Sequence, residues 1–425
     1  MIDISEKTIL VHDSGSFFEI ALKLADYYKE VLYYVPWTAG FPGMDKAVIG
    51  CEWKDKEVQD SFDGKPLRRI ENFFDYVDEA DIIFFTDCYD GDLMEYLRRQ
   101  GKLVCGSGAG QELELEKYAT LEIFADEGMD VAPMKAVIGI DALRKELQKN
   151  ENRFIKIGKY RKTIETFHHS TYKLTEPILS KIEWELGPLA KVMEFIIQEP
   201  IDAIVEEGAD LYSVDGIYPK TVLSGVEIKD MAYAGKMIPY NKQSPGVLKT
   251  NEQIGAFLKE YEYRGFLSTE VRTTKDDKNY LIDPTMRLPQ PPSSLYTLIW
   301  GNLGEIVWGL ANGKVIDPEP EAPYGMYATI SSDWYDEHHQ PIYFPEKYRD
   351  NVKLNYPVKI DGAYYCLNIN NFPEVGSIVA VGDSFEACKK QIEDIAASIE
   401  GYGITVRIDK LDAAIEEFGK MEKTK

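Results

Sequence analysis

FLSTEVRTTKDDKNYLIDPTMR, from Phe266 to Arg287, is the stretch on which the reading of this 425-residue chain turns. Two runs suited to strands, Leu267 to Arg272 and Tyr280 to Thr285, flank the turn-like residues Lys275, Asp276, Asp277 and Lys278. A turn centred between Asp276 and Asp277 sets Glu270 opposite Asp283. Ser268, Arg272, Leu281 and Thr285 then share their face, and Leu267, Thr269, Val271, Tyr280, Ile282 and Pro284 take the other. Opposed carboxylates on strands about 5 Å apart repel. A hard divalent cation such as Mg²⁺ removes that cost by taking carboxylate oxygens. The same residues also read as a solvated acidic hairpin in a different register.

Outward from the hairpin, the length predicts two to four domains. Hydrophobic residues at 44% and aromatics at 12% suffice for real cores. The net charge of −24 argues against a broad grip on nucleic acid or an anionic membrane. Cys51, Cys88, Cys105, Cys366 and Cys388 form no CxxC pair, which fits a reduced cytoplasmic setting better than disulfides or zinc. The start, MIDISEKTILVHD, lacks the pattern of a signal peptide, and no apolar run is long enough to cross a bilayer.

The first hundred residues alternate strand and helix, as in a small doubly wound unit. Strands are expected at Thr8 to Val11, Val31 to Val35, Ile82 to Thr86 and Leu103 to Cys105. An amphipathic helix carries Phe17, Ile20, Ala21, Leu24 and Tyr28 on one side, with Ser16 and Glu19 spaced as a capping box. The HDSGS loop before it suits an ordinary strand-to-helix turn better than a phosphate site. Helices follow around Lys117 to Gly128 and Asp141 to Lys149. Strands follow at Arg153 to Ile157 and Glu194 to Gln198, then through Val214 and Val222. Leu295 to Leu310 suits one buried helix, and DPEPEAP (Asp317 to Pro323) a linker. The tail is expected to hold a strand at Ser377 to Val381 and a helix from Phe385 to Ile399, capped by Asp383 or Ser384.

Three further patterns bear on chemistry. Lys156 ends an apolar strand and leads into a loop with Lys159, Arg161 and Lys162, suited either to transferring phosphates or to plain solvent exposure. FIIQEPI offers Gln198, Glu199 and Ile201 at a strand end, followed by Glu206, Glu207 and Asp210. His168 and His169 are adjacent, point apart on a strand, and read as surface or loop residues rather than metal ligands.

In this order the pieces resemble the ATP-grasp superfamily, and within it the glycinamide ribonucleotide synthetase (phosphoribosylamine–glycine ligase) family. The stretches ADIIFFTDCYDGDLMEYLRRQGKLVCGSGAGQELELEKYAT and VGSIVAVGDSFEACKKQIEDIA carry the resemblance beside the hairpin. It implies an α/β and α+β multidomain protein. A Rossmann-like N-terminal domain (1–110) would precede an ATP-grasp core (111–316) and a small C-terminal α+β domain (317–425). It also implies ATP and Mg²⁺ as cofactors and a ligase joining a small carboxylate and an amine through an acylphosphate. Phosphoribosylamine–glycine ligase proper, a nucleotide-binding regulatory protein without turnover, and a kinase of the same fold are the alternatives.

Position by position, the resemblance makes Lys117 and Lys156 the ATP lysines and Gln198, Glu199 and Ile201 the adenine hinge. Asp210, with Glu207 as alternative, takes the ribose place. Glu270, Asp283 and Thr285 become the metal ligands, Thr285 standing where the family has asparagine, while Arg287 and Lys229 become the catalytic cations. The departures gather at the substrate end: DSGSFFE replaces a glycine-rich loop, and LPQPPSS replaces FGDPE. The natural substrates are therefore expected to differ from phosphoribosylamine and glycine.

Overall fold

The structure, a computed structural model, describes residues 3–36, 61–158, 166–276, 278–336, 338–360, 362–368 and 373–424. Lys159, Arg161 and Lys162, Asp277 and Cys51 lie outside the described residues. The fold is mixed α/β. Its contacts divide the chain into two compact units, one of 1–111, 207–268 and 285–425, the other of 112–206 and 269–284.

The first unit opens with five parallel strands: β1 (Thr8–His12), β2 (Glu30–Tyr34), β3 (Leu67–Ile70), β4 (Ile82–Phe85) and β5 (Val104–Cys105), in the order β3-β2-β1-β4-β5. Largely apolar runs build all of these strands but β3, LRRI, because a parallel sheet is covered on both faces. Helix α1 (Phe18–Leu24) buries Ile20, Ala21 and Leu24 as expected, and α2 (Gly91–Arg99) buries Met94 and Leu97. The capping box does not form. Asp13 instead accepts the Phe17 N–H at 3.2 Å, Ser16 lies 3.1 Å from the Tyr356 hydroxyl, and Glu19 pairs with Arg349.

The second unit is built on four antiparallel strands, β6 (Met134–Ile138), β7 (Arg153–Ile157), β8 (Thr166–His169) and β9 (Glu194–Gln198), ordered β6-β9-β7-β8. Helix α3 (Lys117–Asp126) precedes them. Helices α4 (Ile140–Leu147) and α5 (Tyr172–Leu186) bury Leu143, Leu147, Leu179 and Ile182 with Ile155 and Phe195 of the sheet. Gly139 enters α4 at φ 85°, where a Cβ would stand 2.6 Å from the Lys191 carbonyl oxygen. His169 is a core residue rather than a surface one. Its ring is fully buried, 2.8 Å from the Thr175 hydroxyl and 2.8 Å from the Asn150 carbonyl.

The chain then runs through β10 (Ala203–Val214), β11 (Thr221–Ile228), β12 (Ala232–Pro239), α6 (Pro245–Glu260), β13 (Arg264–Thr274) and β14 (Asn279–Thr285). In the first unit, β10, β11 and β12 continue into β15 (Tyr324–Ser332), β20 (Glu374–Gly382) and β17 (Val352–Leu354), with β21 (Ile404–Val406) beside β15. A small sheet joins β16 (Gln340–Ile342), β19 (Ala363–Cys366) and β18 (Pro357–Ile360).

The buried helix expected over Leu295 to Leu310 is two helices, α7 (Pro292–Ile299) and α8 (Leu303–Ala311). Asn302 interrupts them because its side chain donates to the Asp317 carbonyl and accepts from the Glu319 N–H, both at 2.9 Å. The same bonds make 317–323 a fastened segment instead of a linker, with Glu321 N–H donating to Ile299 O at 3.0 Å. At the tail, Ser384 rather than Asp383 caps α9 (Phe385–Ala396).

Candidate functional site

Lys156 lies in β7, between β8 and β9, so its backbone is held on both sides. Its side chain is 4% exposed, yet the ammonium is well supplied with acceptors. It donates to the Ile282 carbonyl at 2.7 Å and to Asp283 Oδ2 at 3.1 Å. Lys117, the first residue of α3, brings a second ammonium to 3.9 Å from the same oxygen. A buried lysine keeps its charge only beside such partners. The second unit therefore gathers Lys117, Lys156 and Asp283, three of the expected residues, around one carboxylate.

The hairpin carrying Asp283 is fixed within that unit. Asp130 accepts the Asn279 N–H on its carboxylate at 3.1 Å and the Leu281 N–H on its carbonyl at 3.2 Å. Arg272 pairs with Glu206 at 2.7 Å and lies over the Phe154 ring. The turn itself departs from expectation. Thr274 N–H donates to Lys278 O at 3.0 Å, and the Thr273 hydroxyl reaches the Asn279 side chain at 2.9 Å. Thr274 was expected to face Asn279, so the register at the turn is one residue out. Lys156 and Lys117 both lie beside the Asp283 carboxylate.

Gln198 is buried at the end of β9, opposite Met134 and Phe154. Glu199 fixes its backbone to Pro133 O at 2.9 Å and turns its carboxylate outward, 3.6 Å from Arg153. Ile201 is half-buried beyond it.

The remaining candidates belong to the first unit. Asp210 is 3% exposed, and its carboxyl accepts the Tyr233 hydroxyl at 2.6 Å. Burial pushes that carboxyl up to about 6, while hydrogen bonds from Tyr233 and Ser268 pull the other way. Glu207 is buried too, accepting the Ser244 hydroxyl. Thr285 is half-buried at the end of β14. Arg287 lies 3.6 Å from Asp87 and donates to Leu288 O at 3.4 Å. Lys229 is 85% exposed in the turn between β11 and β12, 3.9 Å from Asp230.

The sign of Asp210's titration gives a stability prediction. The folded-state carboxyl is raised, so its contribution is complete below the unfolded value near pH ~4 and is lost as pH rises through about 6. Asp210→Asn keeps an acceptor for Tyr233 and removes the titration. Its unfolding free energy should therefore vary less between pH 4 and pH 7 than the parent's by roughly 2–3 kcal/mol, as read by urea titration at each pH.

Sequence reasoning missed the carboxyl end of the parallel sheet. Asp13 there is wholly buried and takes the Tyr33 hydroxyl at 2.6 Å and the Thr86 hydroxyl at 2.8 Å. Burial pushes its carboxyl up to about 6. With Asp13 holding the Phe17 N–H, the loop before α1 is a turn closed on itself, as the single glycine of HDSGS suggested. His12 stacks on Phe85 at 4.9 Å, and burial holds its imidazole below the ordinary value against the pull of Asp90 and Asp87.

Oxygen donors of the Asp283 type suit Mg²⁺ in one manner only. Among the described residues no cluster of three or more His, Cys, Asp or Glu side chains is placed to enclose a metal. Mg²⁺ needs only one or two carboxylates when phosphates and waters complete its octahedron. The donors therefore fit a metal that arrives with a nucleotide, not one held in a protein cage.

No protein-family profile matches the sequence, and no curated protein matches it. Solved structures do. Phosphoribosylamine–glycine ligase from Thermotoga maritima, 16% identical, aligns with a TM-score of 0.66 over 94% of this chain and 98% of that one. The biotin carboxylase domain of Hydrogenobacter thermophilus 2-oxoglutarate carboxylase, solved with MgADP, ADP and bicarbonate, is 10% identical. Its TM-score is 0.66 over 97% of this chain and 95% of that one. N5-carboxyaminoimidazole ribonucleotide synthetase from Thermotoga maritima, 13% identical, gives 0.59 over 93% and 99%. Identities this low speak to architecture, and they agree on it: the chain has the ATP-grasp fold.

Proposed function

We propose that the chain is an ATP-dependent carboxylate–amine ligase of the phosphoribosylamine–glycine ligase type with a different substrate pair. The observation that carries the reading is the carboxylate of Asp283 with Lys156 at 3.1 Å and Lys117 at 3.9 Å, in a chain with the ATP-grasp fold. The lysines offset charge on the nucleotide's phosphates. Gln198, Glu199 and Ile201 border the adenine, and Asp210, with Glu207 as the alternative, takes the ribose place. Mg²⁺ bound through Glu270 and Asp283, with Thr285 as a neutral oxygen donor, supplies Lewis-acid stabilisation of the phosphates.

A substrate carboxylate takes the γ-phosphoryl group, its oxygen forming the new O–P bond as ADP leaves. The amine then attacks the acyl carbon, phosphate departs, and the C–N bond is made. No covalent protein nucleophile is needed; positioning and electrostatics carry the rate. Arg287, with a planar fork of donors, suits the carboxylate or the acylphosphate, and Lys229 is assigned to the same charge-stabilising task.

A nucleotide-binding protein without turnover is the second reading, favoured by the softened metal set, Asp283 with Thr285 in place of the family's asparagine. ADP release with Mg²⁺ and ATP, screened over amino acids paired with small amines, separates the two. The ligase reading expects at least one pair to yield ADP and an amide in equal amounts. It also expects Glu270→Ala to lower that rate about a hundredfold. Nucleotide binding with no turnover across the panel favours the second reading, and full Mg²⁺-dependent turnover in both Glu270→Ala and Asp283→Ala sinks the metal assignment.

A further inference from the structure

We infer that Asp13 excludes phosphorylated compounds from the crevice at the carboxyl edge of the parallel sheet, so the substrate group seated there carries no phosphate. The inference rests on the proposed ligase reading, which assigns Arg287 to the substrate. In an open parallel sheet, ligands settle beyond the carboxyl ends of the strands, where the strand order reverses. In the order β3-β2-β1-β4-β5 that place lies between β1 and β4. Asp13 and Thr86 directly follow these two strands, and the Thr86 hydroxyl donates to Asp13 Oδ1 at 2.8 Å across the crevice. The segment holding Arg287 reaches the same edge. Leu288 N–H donates to Thr86 O at 3.2 Å, and the Gln290 side chain donates to Ser16 O at 3.1 Å.

A phosphate at such an edge is ordinarily held by backbone N–H groups where the first strand turns into its helix. Asp13 draws on those donors itself. Its Oδ2 accepts the Phe17 N–H at 3.2 Å and the Tyr33 hydroxyl at 2.6 Å, and the Gly15 backbone bonds to the same carboxyl. The side chain is wholly buried, so the turn carries its own anion in place of a bound one. Asp87 and Asp90 add carboxylates at this edge, with Arg287 3.6 Å from Asp87 and His12 3.7 Å from Asp90. Burial holds the His12 imidazole below its ordinary value, so Arg287 rather than His12 supplies positive charge. A phosphate dianion is repelled by these carboxylates, and unfavourable contacts of that kind reject one class of ligand while admitting another. A singly charged substrate carboxylate still finds the planar fork of Arg287. A protonated amine is drawn by Asp87 and Asp90.

The test titrates ribose 5-phosphate and ribose by calorimetry, with the nucleotide site filled by Mg²⁺ and a non-hydrolysable ATP analogue. Wild-type protein should bind ribose 5-phosphate no more tightly than ribose. Asp13→Asn keeps the size and an acceptor for Tyr33 and Thr86 but removes the charge. It should raise the affinity for ribose 5-phosphate about tenfold or more and leave that for ribose unchanged. A carboxylate that merely supports the fold would move both affinities or neither. Asp13→Ser, whose hydroxyl can still accept the Phe17 N–H, carries the test if Asp13→Asn does not fold. Wild-type protein that prefers ribose 5-phosphate to ribose overturns the exclusion. An unchanged ratio of the two affinities in the folded variant overturns the role of Asp13. None of these titrations needs turnover, so a ligase reading that fails for want of ADP release fails separately.

Discussion

Asp283→Asn should abolish nearly all Mg²⁺-dependent turnover, lowering kcat/KM about 10²–10³-fold, the range seen when one preorganised electrostatic contact is removed from an active site. Asparagine keeps the size and an acceptor oxygen for Lys156, so packing is preserved while the charge goes. Two ammonium groups within 4 Å of the old carboxylate then have no anion of their own there. ADP affinity measured without metal should hold or improve, while the dependence of turnover on Mg²⁺ concentration shifts to far higher values. Asp283→Glu restores the charge at a longer reach and should recover part of the rate. A variant that loses ADP binding and turnover together would instead mark Asp283 as structural. Comparing metal-free ADP titrations with Mg²⁺ dependence in the two variants decides the matter.

Arg349→Met should be the most destabilising single change in the first unit, costing about 3–5 kcal/mol, as expected when one partner leaves a buried ion pair. Arg349 holds Glu19 by two bonds, at 3.0 and 3.1 Å, and Asp63 by a third at 2.6 Å. Glu19 also accepts the Leu354 N–H at 3.2 Å, and its side chain is only 9% exposed. Lys359 and Tyr364 remain on Asp63 at 3.1 and 2.7 Å, and Glu19 therefore bears most of the loss. Combining Arg349→Met with Glu19→Gln should return a large share of the stability, because the uncompensated charge is then absent. Urea unfolding of the single and double variants measures it; equal loss in both would show that packing, not charge, is at stake.

What the sequence disclosed follows from how local each signal is. Strands β1, β2 and β4 are apolar runs closed by turn residues, and they stand where expected. Strand β3, LRRI, escaped notice because its two central residues are arginines on a half-buried stretch. The Arg349 ion pairs escaped for a different reason. Their partners are 330 and 286 residues away, beyond any periodicity. The hairpin was visible as two strands, but TTKDDKN has no glycine to mark the centre of its turn, so the register was not. Lys156 and Asp283 entered as candidates from a strand end and a hairpin before family order joined them; that the ammonium of one would lie on the carboxylate of the other is a fact of tertiary structure.

The smaller unit is made of two stretches, 112–206 and 269–284. During synthesis its four-stranded sheet leaves the ribosome well ahead of the hairpin, and Lys156 precedes Asp283 by 127 residues. Until then Lys156 has neither the Ile282 carbonyl nor the Asp283 carboxylate. A nascent chain halted at residue 206 would hold the lysine strand and not Asp283, so this buried positive charge is assembled before its counterweight.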